Sequence, residues 1–222
     1  MKTLDWLKGK IPDKQYAVLE NEGIVDLRPS QEKAVSAGLL EGKSLLVCTP
    51  TASGKTLVAE LAMMKSILER RGKAIYIVPL KALATEKNKE FRRKYGHLAK
   101  IGVSIGDFDA SDPYLSSYDL IITTSEKLDS LIRHHAPWLR DVGVVVVDEI
   151  HLLNDPGRGP TLEILITVIK QLLKKVQFIG LSATIGNEDE LSEWLEANLV
   201  HDTWRPVELH KGVYHDGVIE FQ

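Results

Sequence analysis

Apolar residues recur along the chain in two alternating rhythms. Short, nearly unbroken runs at residues 44–48, 73–79, 101–105, 120–123, 142–147 and 176–181 have strand length, the second of them ended by Pro79. Between them, apolar positions return every three to four residues. Helices are predicted over 12–22, stopped by Gly23, and over 29–41, stopped by Gly42. Others begin after Gly54 (Leu57, Leu61, Met64, Leu68) and at Leu80, and run over 125–134, 159–175 and 187–196. The 159–175 helix carries Leu162, Leu165, Ile166, Ile169, Leu172 and Leu173 as its apolar stripe. Strands joined by helical crossovers of this length pair in parallel with right-handed connections. The β-branched run Val144-Val145-Val146-Val147 marks a central strand covered on both faces. The pattern therefore predicts an α/β fold, a doubly wound and mostly parallel sheet with helices on both faces. From Trp204 to Gln222 the chain is mixed and offers no core helix.

Composition changes this picture little. A chain of 222 residues, 44% hydrophobic and 27% charged, is ordinary for a soluble globular protein. The first ten residues lack the apolar core of a signal peptide, and no run is long enough to span a bilayer, so the expectation is a cytoplasmic protein without membrane contact. Cys48 has no disulfide partner and falls inside a strand, where it reads as a small core residue. The His and Cys residues show no metal-ligand spacing. Net charge is −3, which does not favour nucleic-acid binding, yet residues 65–100 hold eleven Lys or Arg against three Glu. A solvated helix face and a phosphate-tracking surface fit that segment equally.

The chemistry gathers just past the carboxyl ends of three strands, where open α/β sheets bind ligands. The first strand empties into Thr49-Pro50-Thr51-Ala52-Ser53-Gly54-Lys55-Thr56. Small side chains there let backbone N–H groups approach a polyphosphate at the positive end of a helix. Lys55 is placed to reach the outer phosphates, and the Thr56 hydroxyl to ligate Mg²⁺. Thr49 stands where the generic phosphate loop has its first glycine. At a second tip, Asp148 is placed to be the other Mg²⁺ contact, and Glu149 to orient or deprotonate a water. At the third, Ser182, Ala183 and Thr184 could bond to these carboxylates and to His151, coupling the nucleotide site to the rest of the sheet edge. Gln31, upstream of the phosphate loop, offers both a donor and an acceptor to an adenine edge.

Taken together these residues resemble superfamily 2 helicases of the Ski2-like group, most closely the archaeal Hjm-type DNA-repair helicases. Leu27-Arg28-Pro29-Ser30-Gln31 matches the Q motif, residues 49–56 motif I, Pro79-Leu80-Lys81-Ala82-Leu83-Ala84 motif Ia, Asp148-Glu149-Ile150-His151 a DExH box and Ser182-Ala183-Thr184 motif III. The resemblance implies a RecA-like P-loop domain over 27–203, a helical lead-in over 1–26 and, over 204–222, a linker toward a second RecA-like domain. It assigns ATP hydrolysis to Lys55, Thr56, Asp148 and Glu149, with Mg²⁺ as cofactor, and nucleotide binding to Thr51, Ala52, Ser53 and Gly54, with Arg28 and Gln31 sensing adenine. Contacts to single-stranded or forked DNA fall to Pro79, Lys81 and Ala82, to Gly106 and Asp107, and to Thr124, Ser125 and Lys127, with Lys81 favoured in the basic segment. Full-length members unwind forks 3′ to 5′ and act at stalled replication forks.

The family's arginine-bearing motif, resembling Gln-x-x-Gly-Arg-x-Gly-Arg, has no counterpart in these 222 residues. The expectation is an isolated first motor domain, monomeric, binding nucleotide weakly and turning it over poorly. Two rivals stay open: an RNA helicase of the same group, since phosphate contacts do not read the sugar, and a nucleotide-gated binding module whose partner supplies the chemistry.

Overall fold

A computed structural model describes residues 1–106, 112–208, 212–215 and 217–221. Seven strands form one sheet: β1 (Leu45–Cys48), β2 (Lys73–Val78), β3 (Ile101–Ser104), β4 (Leu120–Thr124), β5 (Val142–Val147), β6 (Gln177–Ser182) and β7 (Asn198–His201). Their order is β3-β4-β2-β5-β6-β1-β7, and every pairing is parallel. The helices are α1 (Asp13–Asn21), α2 (Pro29–Ser36), α3 (Lys55–Leu68), α4 (Lys81–Tyr95), α5 (Ser125–Arg133), α6 (Gly159–Leu172) and α7 (Glu188–Leu195).

Period-two alternation divides the strand residues between two cores. Leu45, Val47, Ala74, Tyr76, Val78, Val144 and Val146 pack with α1 to α4. Leu46, Cys48, Ile75, Ile77, Val145 and Val147 pack with α5, α6 and α7. Both faces are thus covered, as the apolar runs require, and polar chemistry is left to the strand ends. At the opposite end of the sheet, backbones crowd. A Cβ on Gly72 would lie 2.6 Å from the Gly143 nitrogen and 2.7 Å from the Asp141 carbonyl, beside the register shift between Lys73 and Ala74.

Some expectations change. Helix α2 ends at Ser36, and the chain then turns through Gly38 and Gly42, both at positive φ. Leu39 and Leu40 are buried nonetheless, which is why the apolar pattern ran on to residue 41. Leu172, placed on the apolar stripe of α6, is 60% exposed. Strand β7 is an edge strand with a single fully buried residue, Val200, too little to register as a pattern. The mixed tail holds a hairpin, β8 (Gly212–His215) with β9 (Val218–Phe221).

Part of the basic segment is ion-paired within the protein. Lys94 bridges Glu60 (2.9 Å) and Glu90 (3.0 Å), Lys87 pairs with Glu90 (2.9 Å), and Arg93 meets Glu22 through two 2.7 Å bonds. Lys65 and Arg71 share Glu69. Lys94 pins α4 to α3 and Arg93 pins it to the end of α1, while the Arg93 and Arg71 side chains stay solvated.

Two outcomes follow from this packing. The Cys48 thiol is buried and burial pushes its pKa up to about 12, so native protein at pH 8 should resist iodoacetamide and react fully once unfolded. Native reactivity would contradict the strand assignment. Gly72→Ala should cost about 2 kcal/mol and lower Tm by about 6 °C; an unchanged melt would show that the backbones are not in close approach.

Candidate functional site

Parallel register brings the three chemical tips into line. Cys48 pairs with Ser182, and Val147 with Gly180, so the ends of β1, β6 and β5 stand side by side. The phosphate loop closes on itself between β1 and α3. Thr49 continues the strand ladder, its N–H donating to the Ser182 carbonyl at 3.2 Å. Its hydroxyl lies 2.6 Å from the Ser53 hydroxyl, both side chains buried. A latch therefore stands where the generic pattern has glycine. Ala52 at φ 65 and Gly54 at φ 92 make the turn, while Thr51 and Ala52 are exposed. A Cβ on Gly54 would press on the ends of the Gln31 and Arg28 side chains, and the positive φ is what requires glycine there.

Lys55 folds back onto its own loop, Nζ donating to the carbonyls of Thr49 at 2.8 Å and Pro50 at 3.3 Å. Burial pulls its ammonium below the usual lysine range, and the charges of Glu149 and Asp148 work against that shift. The ammonium and the two acids thus share one electrostatic neighbourhood across the β1 and β5 tips.

Asp148 follows β5 and is held on both oxygens. Tyr76, from β2, donates to Oδ2 at 2.7 Å, and the Glu149 N–H donates to Oδ1 at 3.0 Å. Burial first, and then the Asp148 charge, push the Tyr76 phenol well above its usual range, so it remains a donor. Glu149 sits at φ 53, a left-handed conformation unusual for a side-chain-bearing residue, which turns the chain directly after the carboxylate. A hydroxyl at Thr56 and a carboxylate at Asp148 are hard oxygen donors. Such a pair fits Mg²⁺ held mainly by phosphate oxygens and water.

The third tip is engaged differently from the expectation. The Ala183 N–H donates to His151 Nδ1 at 3.4 Å, and Glu149 Oε2 lies 3.4 Å from the same nitrogen. His151 therefore stands between the β5 and β6 tips, within reach of both. The hydroxyls of Ser182 and Thr184 do not make this link. Ser182 Oγ is buried with no hydrogen-bond partner, and Thr184 is exposed.

The Q-motif residues hold the phosphate loop. Gln31 donates to the Gly54 carbonyl at 3.0 Å and accepts from the Arg28 N–H at 2.8 Å, while the Arg28 guanidinium donates to the Ala52 carbonyl. Beside them opens a cavity of about 400 Å³, lined by Arg28, Gln31, Gly54, Thr56, Ile24 and Tyr95 among others. Ile24 and Tyr95 carry no motif, so nothing in the sequence singled them out.

The residues expected to touch a nucleic-acid strand lie on the other half of the sheet edge, past β2, β3 and β4. Lys81, Ala82 and Gly106 are exposed and Pro79 half-buried, whereas Asp107 lies outside the described residues. Thr124, Ser125 and Lys127 are buried. Thr124 caps α5, accepting from the Lys127 N–H, and Lys127 Nζ lies 3.0 Å from Asp112 with its side chain 1% exposed. Its ammonium is therefore engaged by Asp112 inside the protein. Tyr76 was missed in sequence because an aromatic residue within an apolar strand carries no sign of its polar end.

Comparison with known proteins agrees with this geometry. The chain is 56% identical over 216 residues to the ATP-dependent DNA helicase Hel308 of Methanocaldococcus jannaschii, covering 94% of this chain and 18% of that protein. It is 51% identical over 209 residues to the Hel308 of Pyrococcus abyssi, covering 94% and 29%. The chain thus spans less than a third of the length of these relatives. Among solved structures, the DUF1998 helicase MrfA superimposes with a TM-score of 0.76 at 29% identity over 86% of this chain and 33% of that one. MrfA bound to DNA and AMPPNP gives 0.75 at 27% identity, over 87% and 29%. No helix among the described residues is long and apolar enough to cross a membrane. The family model for the DEAD/DEAH box helicase matches residues 28–191, and with the phosphate loop, the DExH tip and the parallel sheet in place the chain belongs to that family.

Proposed function

We propose that this chain is the first, nucleotide-binding motor domain of an ATP-dependent DNA helicase that works with a second RecA-like domain. The observation that carries this reading is the convergence of Lys55, Thr56, Asp148 and Glu149 at adjoining tips of one parallel sheet, with Lys55 in the field of both acids. Lys55 leaves the carbonyls of Thr49 and Pro50 to meet the outer phosphates. Thr56 and Asp148 would hold Mg²⁺, which would draw charge off the phosphate oxygens. Glu149 orients the attacking water, and His151 reports its state to the Ser182–Thr184 tip through the Ala183 N–H. Arg28 and Gln31 release the loop carbonyls to read adenine at the neighbouring cavity.

DNA as the polymer is supported by the relatives, named DNA helicases, and by a structural neighbour solved with DNA. The exposed Lys81, Ala82 and Gly106, with the half-buried Pro79, are the surface offered to a single-stranded or forked substrate. Unwinding 3′ to 5′, action in repair at stalled forks, a monomeric state and a cytoplasmic location complete the proposal by resemblance to the Hjm-type group. The charge on a transferring phosphoryl group is ordinarily met by an arginine, and the second domain is proposed to supply it.

Titration with a fluorescent ATP analogue tests the site. Wild-type protein should bind, and Lys55→Ala should bind about 100-fold more weakly, the loss of charge-assisted contacts to phosphate. Equal affinity for the two would overturn the assignment. Steady-state ATPase of the 222-residue chain should stay slow with and without single-stranded DNA; brisk DNA-stimulated turnover would contradict the need for a second domain.

A further inference from the structure

The unit formed by β2 and α4 touches both residues assigned to Mg²⁺. Tyr76 on β2 points its ring to the α3 and α4 side of the sheet, where it packs edge-on against Phe91 at 5.3 Å between centroids. Its hydroxyl nevertheless reaches the Asp148 carboxylate on the neighbouring strand at 2.7 Å. From α4, Lys87 donates to the Thr56 hydroxyl at 3.5 Å while paired with Glu90 at 2.9 Å. Lys94, two turns further along α4, is anchored to the buried Glu60 of α3, which also accepts from Tyr95 at 2.7 Å.

We propose that Tyr76 is a positioning residue for Asp148, holding that carboxylate in the orientation that receives Mg²⁺. The inference rests on the nucleotide reading above. A carboxylate with one oxygen tied to a backbone N–H and the other to a phenol has little rotational freedom, and each oxygen keeps a lone pair for a cation or its water. Donors of this kind orient metal ligands, and their removal weakens metal binding by roughly 10–100-fold in known sites. The ring, locked by Phe91 and fully buried, cannot swing away, so the hydroxyl is a fixed point. Tyr76 also lies only three residues before Pro79, on the strand whose exposed tip is offered to nucleic acid.

The test is nucleotide binding by this chain as a function of free Mg²⁺, followed by fluorescence of an ATP analogue. Tyr76→Phe keeps the ring against Phe91 and removes only the hydroxyl. The half-saturating Mg²⁺ concentration should rise roughly tenfold, while affinity in EDTA stays within about twofold and the melting temperature within a few degrees. In an Asp148→Ala background the same substitution should add nothing, because the group it orients is gone. An unchanged Mg²⁺ dependence would overturn the proposal. So would an equal loss in EDTA, which would make the hydroxyl a support for the whole site, or an effect that persists without Asp148. Failure of the wild-type chain to bind nucleotide at all would instead bring down the nucleotide reading on which this one stands.

Discussion

A sheet whose strands all run the same way and are buried on both faces leaves its polar chemistry one place to go. In the strand interiors Val145, Val146, Leu46 and Ile179 are fully enclosed, and a charge there would carry several kcal/mol of desolvation. At the carboxyl ends the ladders stop, backbone groups come free, and helix N-termini point in. Parallel register then aligns those ends, so residues distant in sequence, such as Lys55 and Asp148, share a neighbourhood. The edge is divided by strand order: β1, β6 and β5 carry the residues proposed for the nucleotide, and β2, β4 and β3 the surface proposed for nucleic acid.

Local polar bonds keep the loop in shape where the sheet no longer does. The Thr49–Ser53 latch, the Gln31 bond to Gly54 and the Arg28 bond to Ala52 hold the turn from three directions. Lys55, half-buried, answers its own desolvation by bonding to two loop carbonyls and by facing two acids. Exchanging those carbonyls for phosphate oxygens replaces weaker acceptors by charged ones, which gives the proposed binding its direction.

What was legible in the sequence follows from what leaves a period. The five inner strands, edge strand β3 and most helix starts were readable because burial on both faces, or on one stripe, repeats at fixed spacing. Edge strand β7 was not, since only Val200 is fully buried, and Leu172 was placed inside because its spacing matched a stripe that the helix end no longer covers. At the site, Lys55, Thr56, Asp148 and Glu149 were legible through motif and strand-tip position together. The buried setting of Lys127 was not legible, because a lysine looks solvated until its partner Asp112 is known. Tyr76 was invisible because its ring obeys the strand pattern and only its hydroxyl departs from it.

The central claim, that one sheet edge gathers a triphosphate and its cation, is met most directly by a crystal structure of the chain with Mg²⁺ and a non-hydrolysable ATP analogue. The account predicts the phosphates against residues 51–56, Lys55 Nζ on the outer phosphates, and the cation between the Thr56 hydroxyl and the Asp148 carboxylate. A nucleotide seated elsewhere, or a cation that neither Thr56 nor Asp148 approaches, would contradict it.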